Sequence, residues 1–231
     1  MTQTQIDADR TATANRIPVK ICGLTRVDQA LDCARLGANL IGLVFYPHSP
    51  RCVERKRARE ISTAVRSRSA TVGVFVNASY RAVMDVVQFC DLPIVQLHGQ
   101  EPPQQVQRLR DAGLVVWKAL FHRKQPFFDQ AGDYNASAFL LECGTGRLPG
   151  GNARTWDWAA AAKMKRSRPV VLAGGLDADN IPRAIRLGKP DAVDVSSGVE
   201  LTPGVKDMQK VSAFIKAVVR TRIDYYPQKI R

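Results

Sequence analysis

The 231-residue chain has no apolar run approaching the ~20 residues that a membrane span needs. Its first residues, Met1 to Arg16, are polar, rich in Thr and Ala, and have no apolar stretch, so they do not read as a secretory signal. Asp7 and Asp9 argue against a transit peptide, which lacks acids. Residues 1–16 are expected to form a flexible N-terminal tail, and the chain is expected to be cytoplasmic. Cysteine is too scarce and too irregular for a framework: there are five, an odd number, and no pair has CxxC spacing. That excludes a disulfide scaffold and a zinc ribbon, and leaves buried or half-buried thiols of a reduced compartment. The three histidines show no metal-ligand spacing. Neither GxGxxG nor a Walker A sequence occurs, so nothing points to a dinucleotide or a P-loop. No proline- or glycine-rich linker divides the chain.

Acidic residues are also short, 21 against 34 Lys and Arg, for a net charge of +13. Such a balance suits either an anionic partner or a solvated basic surface. The charges scatter through Arg51 to Arg68, Lys163 to Arg168 and a basic C-terminal tail, residues 220–231. No aromatics are interleaved at the spacing of a single-strand platform, and no base-reading motif is visible, so neither nucleic acid nor membrane is expected as a partner.

What the chain does have is alternation. Apolar, β-branched runs are each followed by an amphipathic or helix-like stretch. The runs are Ile17–Cys22, Leu40–Phe45, Thr71–Val76, Pro93–Leu97, Leu114–Leu120, Ala138–Glu142, Pro169–Leu172 and Ala192–Val195. The stretches after them include Val27–Leu36, Val53–Arg66, Tyr80–Phe89, Pro102–Ala112, a weaker one near Gln125–Gly132, Trp156–Met164, Asp179–Leu187 and Lys206–Val219. Strands this uniformly apolar are covered on both faces, which requires a parallel sheet. The hydrophobic fraction is 45%, enough for one large core. Eight pairs in roughly 200–250 residues fit a single (β/α)8 TIM barrel over residues 17–219; a doubly wound open sheet is the other architecture. Cys22-Gly23-Leu24-Thr25 echoes Gly174-Gly175-Leu176-Asp177, each between a strand and a helix, as repeated units would.

In a barrel, chemistry sits at the strand C-termini. Cys22 ends the first strand and is either a general base or a small buried hydrophobe. Glu142 ends the sixth. A carboxyl at the lip of an apolar strand can be kept protonated by burial and act as an acid, or it can form a salt bridge. One acid and one base facing each other across a substrate suit a sugar isomerisation. Gly174-Gly175 follows the seventh strand and Ser196-Ser197-Gly198 the eighth. These are the two loops that hold phosphate in many barrels, where glycine admits the phosphate and backbone N–H groups bind it. Arg51, after the second strand, is either an exposed charge or a fork for a carboxylate. His98, after the fourth, taken alone reads as structural.

Together these residues resemble phosphoribosylanthranilate isomerase, a barrel family of tryptophan biosynthesis. The matching stretches run in family order: Val19-Lys20-Ile21-Cys22-Gly23-Leu24-Thr25, Gly42 to Tyr46 with Ser49-Pro50-Arg51, Val72 to Asn77, Val95-Gln96-Leu97-His98-Gly99, Thr155-Trp156-Asp157-Trp158, Leu172 to Leu176, and Val193 to Glu200. The resemblance implies an Amadori rearrangement of N-(5-phosphoribosyl)anthranilate without a cofactor. It places the base on Cys22, the acid on Glu142 and the carboxylate grip on Arg51. The phosphate falls on Gly174, Gly175, Ser196, Ser197 and Gly198, and Gln96, His98 and Asp194 become further substrate contacts. Two departures stand out. The family's acid is usually Asp, here Glu142, and its Gly-Gly-x-Gly loop is here Gly150-Gly151-Asn152-Ala153. Three rivals remain. An isomerase of the related histidine-pathway aminoaldose would need a second phosphate loop, and Val76-Asn77-Ala78-Ser79 is a poor one. A degenerate barrel would bind a phosphorylated ligand without turnover. A nucleic-acid-binding protein would show steep salt dependence. Oligomeric state is not legible.

Overall fold

The computed structural model describes residues 17–146, 155–164 and 168–230. Eight parallel strands form the barrel: β1 (Val19–Cys22), β2 (Leu40–Val44), β3 (Ala70–Phe75), β4 (Ile94–Leu97), β5 (Val115–Phe121), β6 (Ala138–Glu142), β7 (Val170–Leu172) and β8 (Ala192–Val195). Each pairs in parallel with the next, and β1 pairs with both β2 and β8, so the ring closes. The open-sheet alternative is thereby excluded. Between the strands run α1 (Val27–Arg35), α2 (Arg55–Val65), α3 (Tyr80–Cys90), α4 (Pro103–Asp111), α5 (Ala159–Lys163) and α6 (Ile181–Gly188), and α7 (Met208–Arg220) follows β8.

Side chains alternate across each strand with period two. One set faces the helices and joins the large outer core, which includes Val19, Ile21, Ile41, Val95 and Val193. The other faces the lumen, where Leu40, Val72, Ile94, Trp117, Leu140 and Ala192 form a separate apolar cluster. Lys20, Cys22, Gln96, Glu142 and Asp194 fall in the lumen-facing register, so the polar content of the strands is directed inward.

Two elements differ from the sequence reading. The weak helix expected near Gln125–Gly132 is a short 3-10 turn, Phe128–Asp133. Pro126 and Gly132 frame a segment too short and too poor in apolar periodicity to nucleate an α-helix. Between β8 and α7 lies an antiparallel hairpin, β9 (Glu200–Thr202) with β10 (Val205–Lys206). Its Gly204, at φ 85°, makes the turn.

Residues 1–16 and the Gly150–Ala153 loop lie outside the described residues. The C-terminal residues 221–230 run back along the barrel base. The Tyr225 hydroxyl donates to the Pro190 carbonyl at 2.7 Å, and the Gln228 N–H donates to Asp191 Oδ1 at 2.7 Å. Ile230 packs on the lumen cluster. Among the helices of the described residues, none is long and apolar enough to cross a membrane.

Candidate active site

Cys22 is the last residue of β1 and is buried. β2 presents Gly42 beside it, and a Cβ there would lie 2.7 Å from the sulfur, so only glycine leaves the thiol in place. Lys20 precedes Cys22 by two residues and shares its face. The Lys20 ammonium is wholly buried and donates to Asp194 Oδ1 at 3.0 Å. Burial pushes the Cys22 thiol up; Lys20 opposes that most strongly, Asp194 adds to it, and Lys206 lowers it, leaving the thiol above its ordinary range. Burial would lower Lys20, but Asp194 and Cys22 outweigh it and hold the ammonium above its usual value.

Glu142 ends β6, separated from β1 by β7 and β8. It pairs with no lysine or arginine side chain within salt-bridge distance among the described residues; its Oε2 lies 2.9 Å from His98 Nε2. His98 Nδ1 in turn lies 2.8 Å from Gln96 Nε2. A ring that accepts from the amide at Nδ1 can donate its Nε2 proton to Glu142. Gln96 and His98 are therefore tied to the strand-6 carboxyl, and His98 is more than an isolated structural histidine. Its ring meets Phe121 edge-on, with centroids 5.5 Å apart. A Cβ at Gly174 would lie 3.0 Å from both Glu142 Cγ and Trp156 Nε1. The loop after β7 thus presses on the carboxyl. Trp156 donates to the Ala173 carbonyl at 2.9 Å and stacks on His122. Lys124 senses Glu142 electrostatically; burial lowers its ammonium and Glu142 partly restores it.

Arg51 is buried, not an exposed charge. Its Nε and Nη2 grip the two oxygens of Glu200 at 2.9 and 2.7 Å. Among the described residues its Nη1 donates to no protein acceptor. Glu200 also receives the Lys206 ammonium at 2.7 Å. Burial would raise the Glu200 carboxyl, but Arg51 and Lys206 hold it below its ordinary range. Burial lowers Lys206, and Glu200 only partly offsets this.

The two glycine/serine loops lie together. Gly174 and Gly175 are left-handed at φ 89° and 67°. A Cβ at Gly198 would fall 1.9 Å from the Leu176 carbonyl oxygen, so the loop after β8 is pressed against the loop after β7. The N–H groups of Gly174, Gly175, Ser197 and Gly198 donate to no protein acceptor among the described residues. The Ser196 hydroxyl is committed to the Cys22 carbonyl at 3.0 Å. The loop after β3 is otherwise engaged. Asn77 donates its N–H to Glu101 and accepts from the Gln100 N–H, and the Ser79 hydroxyl caps α3. Buried Lys118 completes that network through Glu101 at 2.9 Å. Among the described residues no group of three His, Cys, Asp or Glu side chains is placed to hold a metal ion.

Sequence reasoning missed Lys20, Glu200, Lys206 and Lys124 as parts of the site. Lys20 carried a signal, being a charge at an inward position of an apolar strand, two residues from Cys22. Lys206 had none, because only the hairpin brings it back over β1.

The family model for N-(5'phosphoribosyl)anthranilate (PRA) isomerase matches residues 19–217. An N-(5'-phosphoribosyl)anthranilate isomerase of Desulfatibacillum aliphaticivorans is 47% identical over 93% of this chain and 98% of its own. The crystal structure of phosphoribosyl anthranilate isomerase from Thermotoga maritima matches with a TM-score of 0.81 and 37% identity, over 87% of this chain and 98% of that one. A phosphoribosyl anthranilate isomerase in complex with reduced 1-(o-carboxyphenylamino)-1-deoxyribulose 5-phosphate matches with a TM-score of 0.77 and 36% identity, over the same shares. A closed barrel carrying these loops, matched along nearly its whole length, belongs to the N-(5'-phosphoribosyl)anthranilate isomerase family.

Proposed function

We propose that Cys22 and Glu142 are the base and acid of the reaction this chain catalyses. That reaction is the isomerisation of N-(5'-phosphoribosyl)anthranilate to 1-(2-carboxyphenylamino)-1-deoxyribulose 5-phosphate in tryptophan biosynthesis. The observation that carries the assignment is the Gln96–His98–Glu142 chain of hydrogen bonds, which aims a carboxyl into the lumen mouth opposite Cys22. With Oε2 turned to His98, Oε1 is the oxygen left to hand a proton to substrate. Glu142 protonates the ribose ring oxygen and the ring opens to an iminium. The Cys22 thiolate removes the C2' proton, the electron pair neutralises the iminium, and the resulting enolamine tautomerises to the ketone. The extra methylene of Glu relative to Asp is accommodated by His98 on one side and the Gly174 loop on the other.

Arg51 offers Nη1 to the anthranilate carboxylate while Glu200 fixes the rest of its fork. The free N–H groups of Gly174, Gly175, Ser197 and Gly198 cradle the phosphate. Ser196 contributes its backbone, since its hydroxyl holds β1. Asp194 has Oδ2 left for a sugar hydroxyl, and Gln96 stands beneath it on the opposite wall. Phosphate anchoring supplies remote binding energy for the ring-opening step. A small phosphorylated metabolite and a cytoplasmic setting fit this reading. The test is purified protein with freshly made substrate, followed through the loss of anthranilate-type fluorescence. Wild-type rates in both Cys22→Ser and Glu142→Gln would overturn the assigned roles.

A further inference from the structure

Lys20 is a wholly buried ammonium in a lumen whose base is an apolar cluster. A buried ion pair is weak evidence for stability, because desolvation offsets much of the Coulomb gain. Packing alone therefore gives no reason for a charge here. Its geometry does. Lys20 and Cys22 are neighbours on one face of β1, the ammonium is fixed by Asp194 from β8 at 3.0 Å, and its charge favours the Cys22 thiolate. The other groups facing the thiol are accounted for. Asp194 comes from β8, Lys206 and Glu200 from the hairpin, and Arg51 from the loop after β2. Gly42 contributes no side chain, and Tyr46 packs at the rim. Lys206 and Arg51 share the Glu200 carboxylate at 2.7 Å each. Lys20 is thus the cation nearest the sulfur along its own strand, and Asp194 would otherwise be an uncompensated anion beneath a developing anion.

We propose that Lys20 is a positioning residue for the isomerisation: held by Asp194, its ammonium is the counter-charge that makes the Cys22 thiolate available as the base. Lys20 remains protonated throughout; the C2' proton passes to sulfur, and the carbon electron pair passes to the iminium. The inference rests on Cys22 being the base.

The test uses the whole protein in a Cys52→Ser background, which removes the one exposed thiol. Alkylation of Cys22 by iodoacetamide, without substrate, is followed by peptide mass spectrometry from pH 6 to 10.5. Lys20→Met is expected to slow alkylation at pH 8 at least about tenfold, which is an upward shift of about one pH unit. It should lower kcat about 100-fold with KM within about threefold. Lys20→Arg, which keeps the charge, should restore alkylation to within about threefold. Lys20→Met/Asp194→Asn removes both charges, leaves no unpaired ion to unfold the barrel, and should alkylate faster than Lys20→Met, because Asp194 no longer opposes the thiolate, yet at least about threefold slower than the wild type. If the pair were only structural, this double variant would alkylate at the wild-type rate, and that result overturns the proposal. Full turnover in Cys22→Ser would instead sink the base itself, whatever the alkylation rates show.

Discussion

The two ends of the barrel lumen are built from the same eight strands and are chemically opposite. At the base, Leu40, Val72, Ile94, Trp117 and Ala192 form an apolar plug, and Ile230 of the C-terminal segment packs onto it. At the mouth, Cys22, His98, Glu142, Arg51 and Glu200 are all buried, and the charged side chains are held in pairs such as His98–Glu142 and Arg51–Glu200. A strand that climbs from base to mouth changes from Leu140 to Glu142, or from Ala192 to Asp194, within a few residues. The base is where burial of apolar area holds the ring closed. The mouth carries charges whose pairing offsets their desolvation without contributing much net stability. Stability and chemistry should therefore separate by depth.

The largest effects test that separation by crossing it. Cys22→Ser is expected to lower kcat about 10³- to 10⁴-fold while changing unfolding free energy by less than about 1 kcal/mol. Trp117→Ala, fully buried in the plug, should cost about 3–5 kcal/mol in denaturant unfolding and leave kcat of the folded protein within about threefold. A Trp117→Ala enzyme that is stable but inactive would break the comparison.

The same division explains what could be read from sequence. Strand periodicity and apolar runs are local, so the base and the strand order were legible: β6 and β8 were placed residue for residue. Cys22 and Glu142 were found because a polar residue closing an apolar strand marks the mouth. The partners were hidden. His98 meets Glu142 across 44 positions, and Lys206 reaches Glu200 only through a hairpin whose antiparallel turn has no place in a strand–helix alternation. Arg51 looked exposed because its loop is polar; its burial comes from Glu200, 149 residues away.

A smaller effect concerns the mouth's water-poor character. Burial dominates the Cys22 thiol and holds it above its ordinary range despite Lys20 and Lys206. The thiolate is the reactive form, so alkylation of Cys22 should rise about tenfold per pH unit from pH 7 to about 8.5 with no plateau. A plateau beginning below pH 7.5 would mean that the pocket's cations outweigh desolvation, and the mouth would count as polar rather than dry. On the opposite wall, His98→Ala leaves Glu142 in place but free to rotate. A tenfold to hundredfold loss of kcat is expected, with KM nearly unchanged. Full activity would show that the Gly174 loop alone orients the acid.

The smallest effect belongs to the base. The chain after Arg220 lies beyond the matched family region, residues 19–217, yet it makes two hydrogen bonds at 2.7 Å to Pro190 and Asp191 and lays Ile230 on the plug. Asp191 also accepts the Val170 N–H at 2.7 Å, so one carboxylate joins the start of β7 to the C-terminal segment. Ile223 and Tyr225 also pack against the outer core, and these hydrogen bonds with three half-buried side chains amount to about 3 kcal/mol. Ending the chain at Arg220 should therefore lower Tm by about 6–12 °C and leave kcat and KM unchanged. If the truncated enzyme instead lost activity at full stability, the base would be coupled to the mouth. The division by depth would then fail at the place where it predicts least.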